Sequence, residues 1–322
     1  MHSLNTNPYF SLALEEHLLK KFTDDFFILW QSEPAVVVGK HQNVLAEINY
    51  RFVRDNGIRV ARRLSGGGTV YHDAGNINFT FIRTGKPGKL VDFGKYIKPV
   101  TGFLKSLGVD AVPGPKNEIS VEGKKISGNA EHVHKNRVLH HGTLLYNSNL
   151  VSLNAAISRN SGKFTDKAVQ SNRSRVVNLT ECLLQEMTVV QLMEAFLNYV
   201  IVNYDGRLIE IANQDQTEVE QLIREKYNTW EWIYGWSPDY EFENTWQRGD
   251  VKIKLYLKTH RGIITACNLG SSGISPEILN GIQQRLTGLR HEESEIKSVL
   301  ESSELNSSLT GSELTDLVLA FF

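Results

Sequence analysis

The apolar positions of the chain recur at two spacings, every second residue in some stretches and every third or fourth in others. The two kinds of stretch alternate, with no internal repeat. Residues 1–22 predict an amphipathic helix of the folded domain rather than a targeting signal: Phe10, Ala13, Leu14 and Leu18 share one face, with Glu15 and Glu16 elsewhere. Phe26–Trp30 and Ala35–Val38 are short apolar runs of the kind that fill buried strands. A strand-like run at 59–63 leads into a glycine cluster, and residues 77–82 alternate Ile77, Phe79 and Phe81 against Asn78 and Thr80. Phe93, Tyr96, Ile97, Val100, Phe103, Leu104 and Leu107 recur at helical spacing; Pro99 falls inside the pattern, so this helix is expected to kink or to begin late. Residues 119–121 and 124–126 flank Glu122-Gly123, a two-residue hairpin signal, and 139–146 reads as a further strand.

Residues 158–176 are polar and aperiodic, with Lys163, Lys167, Arg173 and Arg175, and predict a long surface loop. Helical patterns resume at 189–199 and 217–227. The proline and aromatics of 230–240 mark a domain boundary, giving a large domain over 1–235 and a small one over 236–322. In the small domain Val251, Ile253, Leu255 and Leu257 alternate as a strand, and a second strand follows near 263–268. Ser275-Pro276-Glu277 then caps and opens a helix, and two more helix-like segments close the chain. The class expected is α+β.

Composition narrows the chemistry. The 322 residues are ordinary in apolar content and carry a net charge of −1, which argues against a dedicated nucleic-acid binder. No apolar run reaches bilayer length, so no membrane partner is expected. The two cysteines, Cys182 and Cys267, are far apart and form neither a disulfide framework nor a metal-ligand spacing; a reduced, cytoplasmic setting is expected, or a mitochondrial one in a eukaryote.

Three stretches could carry chemistry. In Arg62-Arg63-Leu64-Ser65-Gly66-Gly67-Gly68-Thr69-Val70-Tyr71-His72-Asp73, consecutive glycines let the backbone approach a ligand and offer amide groups to an anion, with two arginines immediately upstream. The bland alternative is a flexible turn. No Gly-Lys-Ser/Thr occurs, so a Walker-type loop is excluded. In the second stretch, a hairpin at Glu122-Gly123 pairs Lys124 with Val121, Lys125 with Ser120 and Ile126 with Ile119. Lys125 then stands on the polar side, opposite Ile119, Val121 and Ile126, aimed at a reacting centre; Lys124 reads as an exposed lysine. In the third, His140 and His141 must point to opposite faces of their strand. One is expected in the core and the other at a ligand site, in preference to a zinc site shared with His132 and His134. Cys182, among acidic and apolar neighbours, and Cys267 read as structural thiols.

In this order, the three stretches resemble the lipoate–protein ligase A family of the biotinyl/lipoyl protein ligase superfamily. That family shows Arg-Arg-x-Ser-Gly-Gly-Gly-x-Val-x-His-Asp, then Lys-x-Ser-Gly-x-Ala, then His-His-Gly-Thr-Leu-Leu. Trp30, Gln42-Asn43, Arg173-Ser174-Arg175-Val176 and Trp230-Glu231-Trp232 also look like family segments, so the likeness spans nearly the whole chain. It implies a large mixed-sheet catalytic domain with a small C-terminal α/β accessory domain that closes and reopens between half-reactions. The implied activity is activation of lipoate, or octanoate, by ATP and Mg2+ to the acyl-adenylate. Transfer then goes to a lysine of the apo lipoyl domains of 2-oxoacid dehydrogenase acyltransferase components, or of the glycine-cleavage H protein. Lys125 matches the family's catalytic lysine. ATP and lipoyl-adenylate binding is implied for Arg62, Arg63, Ser65, Gly66, Gly67, Gly68, Thr69, Val70, Tyr71, His72, Asn76, Ser127, Gly128, Ala130, His141, Gly142 and Thr143. Arg173 and Arg175 are loop candidates, and Asn117 and Glu118 are metal-side candidates where the family tends to have Asn-Asp. A further departure is His132, where some bacterial members carry arginine.

Two rivals frame the test. A lipoyl or octanoyl transferase would use an acyl group already activated. Octanoyltransferases carry it on a cysteine, which no glycine- or histidine-bearing segment here supplies, and His-His-Gly rather than His-His-Cys, with no visible leader, favours the bacterial ligase. A non-catalytic paralogue that only binds lipoyl-adenylate has less need of Lys125.

Overall fold

The computed structural model describes every residue except 87, 159–161 and 172–173, so Arg173 lies outside the described residues. The chain divides into two compact units, one of Met1–Lys40, Ile58–Asn154 and Ser171–Thr229, the other of His41–Gly57, Ala155–Gln170 and Trp230–Phe322.

The first unit is built on β1 (His2–Ser3), β2 (Phe26–Trp30), β3 (Ala35–Val38), β4 (Arg59–Arg62), β5 (Val70–His72), β6 (Asn76–Thr84), β7 (Val112–Pro113), β8 (Glu118–Val121), β9 (Lys124–His134) and β10 (Arg137–Leu145). A seven-stranded sheet runs β1-β2-β6-β10-β9-β8-β7, and a three-stranded one β4-β3-β5. Both are mixed, since β1 pairs parallel with β2 and β3 parallel with β4, while the other pairings are antiparallel. The expected alternation of β6 is present in the pattern, but residues 76–82 are all buried, polar ones included. The helix Phe93–Ser106 packs Tyr96, Ile97, Val100, Phe103 and Leu104 against this sheet and runs through Pro99, so it does not begin late.

The hairpin forms where expected. Glu122 (φ 49) and Gly123 (φ 75) are both left-handed, the signature of a type I′ turn. Val121 faces Lys124 and Ser120 faces Lys125, but a bulge follows and Ile119 faces Ser127. The expected pairing of Ile126 with Ile119 is therefore wrong: Ile126 is the extra residue of the bulge, buried without a ladder partner.

The N-terminal segment also departs from expectation. The helix starts at Pro8, with the Asn7 side chain accepting from the Tyr9 amide, and residues 10–19 are buried throughout. It is a core helix rather than an amphipathic one. Its acidic pair is consumed inside: Glu16 accepts from Lys20 (2.6 Å), Lys226 (2.7 Å) and Tyr227 (2.7 Å). Burial works to raise the Glu16 pKa, yet these donors hold it below the usual carboxylate value. Lys226 and Tyr227 belong to a single π-helical turn, Ile223–Tyr227, that continues the helix Asn213–Leu222, where the sequence predicted one unbroken helix.

In the second unit β11 (Lys163–Asp166), β12 (Tyr240–Arg248), β13 (Val251–His260) and β14 (Ile263–Ser271) form an antiparallel sheet in that order. β11 corrects the loop expected over 158–176: Phe164 packs on Phe242 across the ladder, an anchor that the polar surroundings hide in the sequence. β13 buries Ile253, Leu255 and Leu257 and exposes Lys252, Lys254 and Lys258, as the alternation predicts. Ser275 caps the helix Pro276–Leu286, whose Leu279, Ile282 and Leu286 join the core. His291 is wholly buried between the Tyr240 hydroxyl (2.8 Å) and the Phe321 carbonyl (2.5 Å), and burial pushes its pKa down to about 4. Among the described residues no helix is long and apolar enough to cross a membrane.

Gly123→Ala meets open space, so its cost is left-handed backbone strain alone, about 1 kcal/mol. Glu16→Ala strips half-buried Lys226 and buried Tyr227 of their shared acceptor and costs about 3 kcal/mol. Urea unfolding of the two variants checks both the order and the gap.

Candidate active site

Between β4 and β5 the glycine segment is fixed from within by Arg63. Its Nε donates to Ser65 Oγ (3.0 Å), Nη1 to the Val37 carbonyl (3.0 Å), and Nη2 to the Gly66 and Gly68 carbonyls (2.7 Å each). A planar guanidinium can meet four acceptors at once, which an ammonium cannot. The segment is therefore braced rather than a flexible turn. Since the C=O and N–H of a trans peptide oppose each other, turning the Gly66 carbonyl to Arg63 sends the Gly67 amide the other way. Burial pushes the Arg63 pKa down to about 10, with Glu15 opposing. Arg62 is equally buried and donates to the Gly39 and Lys40 carbonyls (3.0 Å each); burial, then the neighbouring Arg63 charge, push it down to about 9.

Ser65 links this brace to β10. Its Oγ lies 2.6 Å from His141 Nε2, and His141 Nδ1 lies 3.0 Å from Glu15 Oε2 on the buried N-terminal helix. Because the carboxylate only accepts, Nδ1 carries the proton and Nε2 takes the serine hydroxyl. Glu15 Oε1 also takes the Thr80 hydroxyl (2.5 Å), and Thr80 Oγ1 takes the Trp30 indole N–H (3.4 Å). His72 packs edge-on to Trp30 (5.4 Å), and neither of its ring nitrogens has a partner among the described residues. Burial, then the Arg63 charge, push its pKa down to about 3.

Opposite stands Lys125. Its backbone N–H donates to the Arg175 carbonyl (2.8 Å) and its carbonyl accepts from Val177 (3.0 Å), so residues 175–177 flank β9 on the side that β8 does not cover. Lys125 Nζ lies 3.8 Å from Glu118 Oε2, which also takes the Ser174 hydroxyl (3.2 Å). Burial lowers the Lys125 pKa; Glu118 acts against this and the Arg63 charge adds to it.

One cleft collects these groups. Of the residues singled out in the sequence, Arg63, Gly67, Gly68, Thr69, Val70, His72, Asn117, Glu118, Lys125, Gly128, Ala130, His141, Gly142 and Thr143 line it. Arg62, Ser65, Gly66, Tyr71, Asn76, Ser127 and Arg175 do not; several of them hold residues that do. Sequence reasoning gave no site role to Leu12, Trp30, Val37, Asn78, Asn129, Ser171 or Ser174, which also line it. For Asn78 a signal existed: a polar residue on a strand apolar on both sides is buried and must face something polar. Glu118 is the one carboxylate of the lining among the described residues. Among the described residues only His17, Asp215 and Glu218 bring three metal-donor atoms within 4.8 Å, and Lys21 already bonds both carboxylates (2.8 Å each). His132 and His134 join no such group.

The braced glycine loop and Lys125 line one cleft of a mixed-sheet unit, and the family model of the lipoyl protein ligase A/B catalytic domain matches residues 7–201. That of the bacterial lipoate protein ligase C-terminus matches 237–321. The chain belongs to the lipoate–protein ligase A family, which makes it an enzyme of the ligase class. It is 34% identical over 320 residues to the lipoate-protein ligase LplJ of Bacillus subtilis, covering 97% of each chain. It is also similar to a solved lipoate-protein ligase A bound with ATP (TM-score 0.62, 26% identity, 73% of this chain and 97% of that one). A third likeness is to a bi-partite lipoate protein ligase of Thermoplasma acidophilum, solved in a study that included its E2 lipoyl domain (TM-score 0.63, 26% identity, 73% and 94%).

His72 is held neutral in the folded state, so the unfolded chain binds a proton that the folded one refuses. Its contribution to stability is complete above pH 6.5 and is lost as the pH falls toward about 3. In His72→Phe the acid-side decline of the melting temperature over that window becomes shallower, as thermal scans from pH 7 downward would record.

Proposed function

We propose that this ATP-dependent lipoate ligase forms lipoyl-adenylate in the cleft between Lys125 and the Arg63-braced loop, then passes the acyl group to a carrier lysine. The observation that carries the reading is that Lys125 lines the same cleft as Gly67 and Gly68. A lipoate carboxylate oxygen attacks the α-phosphorus of ATP; its bond to the bridging oxygen breaks and pyrophosphate leaves. The carrier amine then attacks the acyl carbon, AMP leaves with the bonding pair, and the amide nitrogen releases its extra proton to solvent. The acceptor brings the nucleophile, so the chain's own task is positioning and charge stabilisation. The Lys125 ammonium serves the acyl–phosphate junction, and the loop amides serve the phosphate.

Leu12, Trp30 and Val37 supply the apolar side of the lining, suited to the dithiolane and its tail and equally to the chain of octanoate. Glu118, whose carboxylate suits a hard cation, would help to hold Mg2+, which would supply charge neutralisation of the polyphosphate. The likeness to the Thermoplasma ligase studied with its E2 lipoyl domain supports lipoyl domains as acceptors. The acceptors proposed are those of 2-oxoacid dehydrogenase acyltransferase components and the glycine-cleavage H protein. A cysteine-carried acyl group is disfavoured: neither thiol lines the cleft, burial pushes Cys267 up to about 12, and burial with nearby carboxylates raises Cys182.

Radiolabelled ATP and lipoate without acceptor should give labelled adenylate, which a transferase dependent on a preformed adenylate cannot make. With an apo carrier domain added, mass spectrometry should find one lipoyl group on its lysine. Lys125→Ala should lose the adenylate by at least a hundredfold, roughly 3 kcal/mol of transition-state stabilisation, with an unchanged circular dichroism spectrum. Wild-type turnover in that variant would remove Lys125 from the mechanism.

A further inference from the structure

His140 leaves β10 on the face opposite His141, with no exposed surface. It shares that face with Glu131, its cross-strand partner, and with the next pair, Gly142 and Asn129. Its Nδ1 lies 2.9 Å from Glu131 Oε1 and its Nε2 3.2 Å from Asn129 Oδ1. Stacking on Tyr96 (4.9 Å) and an edge contact with Phe93 (5.6 Å) fix the plane of the ring. Glu131 is fixed in turn by the Asp92 amide, which donates to Oε2 (3.1 Å).

Asn129 carries the chain outward. Its Nδ2 donates to the Asn117 carbonyl (3.0 Å) and to Ser127 Oγ (3.2 Å), so its oxygen is turned toward His140 Nε2. Asn117 is held at φ 62, a left-handed conformation that needs support, and it precedes Glu118, the partner of Lys125. Gly142 makes room for this crossing. A Cβ there would stand 2.3 Å from Asn129 Oδ1 and 2.3 Å from Phe79. Nothing in the chemistry above uses His140, yet hydrogen bonds run from it to the one corner of the cleft that carries a carboxylate.

We propose that Glu131, His140 and Asn129 form a positioning relay that sets Asn117 and Glu118 for the nucleotide. The inference rests on the reading of the cleft as the ATP site. His140 acts through Asn129 and touches no substrate. Its neighbour His141 braces the glycine loop, so the adjacent histidines set the two walls of the cleft from opposite faces of one strand.

The test is steady-state adenylate formation, with the ATP and lipoate KM measured separately. His140→Phe keeps the ring stack and loses both hydrogen bonds. Glu131→Leu is made with it, so that no buried carboxylate is left alone and the double variant folds. That pair and Asn129→Ala should each raise the ATP KM about tenfold while leaving the lipoate KM unchanged, the size of one or two lost hydrogen bonds. All three changes together should cost no more than the larger of the two, because they break one chain. A lower melting temperature with wild-type ATP KM, an equal rise in both KM values, or effects that multiply would each overturn the relay. A wild type that forms no adenylate overturns the site reading and the relay with it. A wild type that does, beside variants of unaltered ATP KM, overturns the relay alone.

Discussion

The cleft depends on one buried cation. Arg63 sits under the glycine segment and turns carbonyl oxygens from both ends of that segment onto its own guanidinium. A run of three glycines has the largest conformational entropy to lose, and without internal tethers it would sample many shapes. The arginine resolves this by offering donors in a fixed planar fork, and β3 completes it by accepting one of them through Val37. Burial depresses the pKa of this group to about 10, still far above neutrality, so the charge persists and contributes to the field of the cleft as well as to its shape.

Around that centre the same economy recurs: neighbouring residues in sequence serve different sites because secondary structure sends them apart. Glu15 and Glu16 are adjacent on a helix buried on all sides; one orients His141 and the other collects Lys20, Lys226 and Tyr227. The N-terminal helix thereby ties the chemistry of β10 to the last turn of the first unit. Such buried carboxylates are tolerated because every one of them meets several donors.

Much of this was legible before any coordinates. The strand runs at Phe26–Trp30 and Ala35–Val38, the Glu122-Gly123 hairpin, the alternation of β13 and the cap at Ser275 all follow from local rules, because each depends on residues close in sequence. The glycine loop, the lysine and the divided roles of the two histidines were visible as residue types suited to anion chemistry. What was hidden shares one trait: it is decided by partners distant in sequence. The bulge that leaves Ile126 unpaired, the strand β11 inside a polar stretch, and the employment of Arg62 as a backbone clasp are set by tertiary contacts. Leu12 lines the cleft from a helix whose own period says nothing of a ligand.

The flank of β9 has a consequence for how this enzyme is assembled. The backbone of Lys125 is bonded on one side by Arg175 and Val177, which leave the ribosome some fifty residues later. A nascent or truncated chain ending before that point already contains the glycine loop, the lysine and both histidines. Its lysine nevertheless lies on a strand that is paired at that point with β8 alone. The strand that carries the lysine thus gains its second flank from a short segment made well after the glycine loop and both histidines.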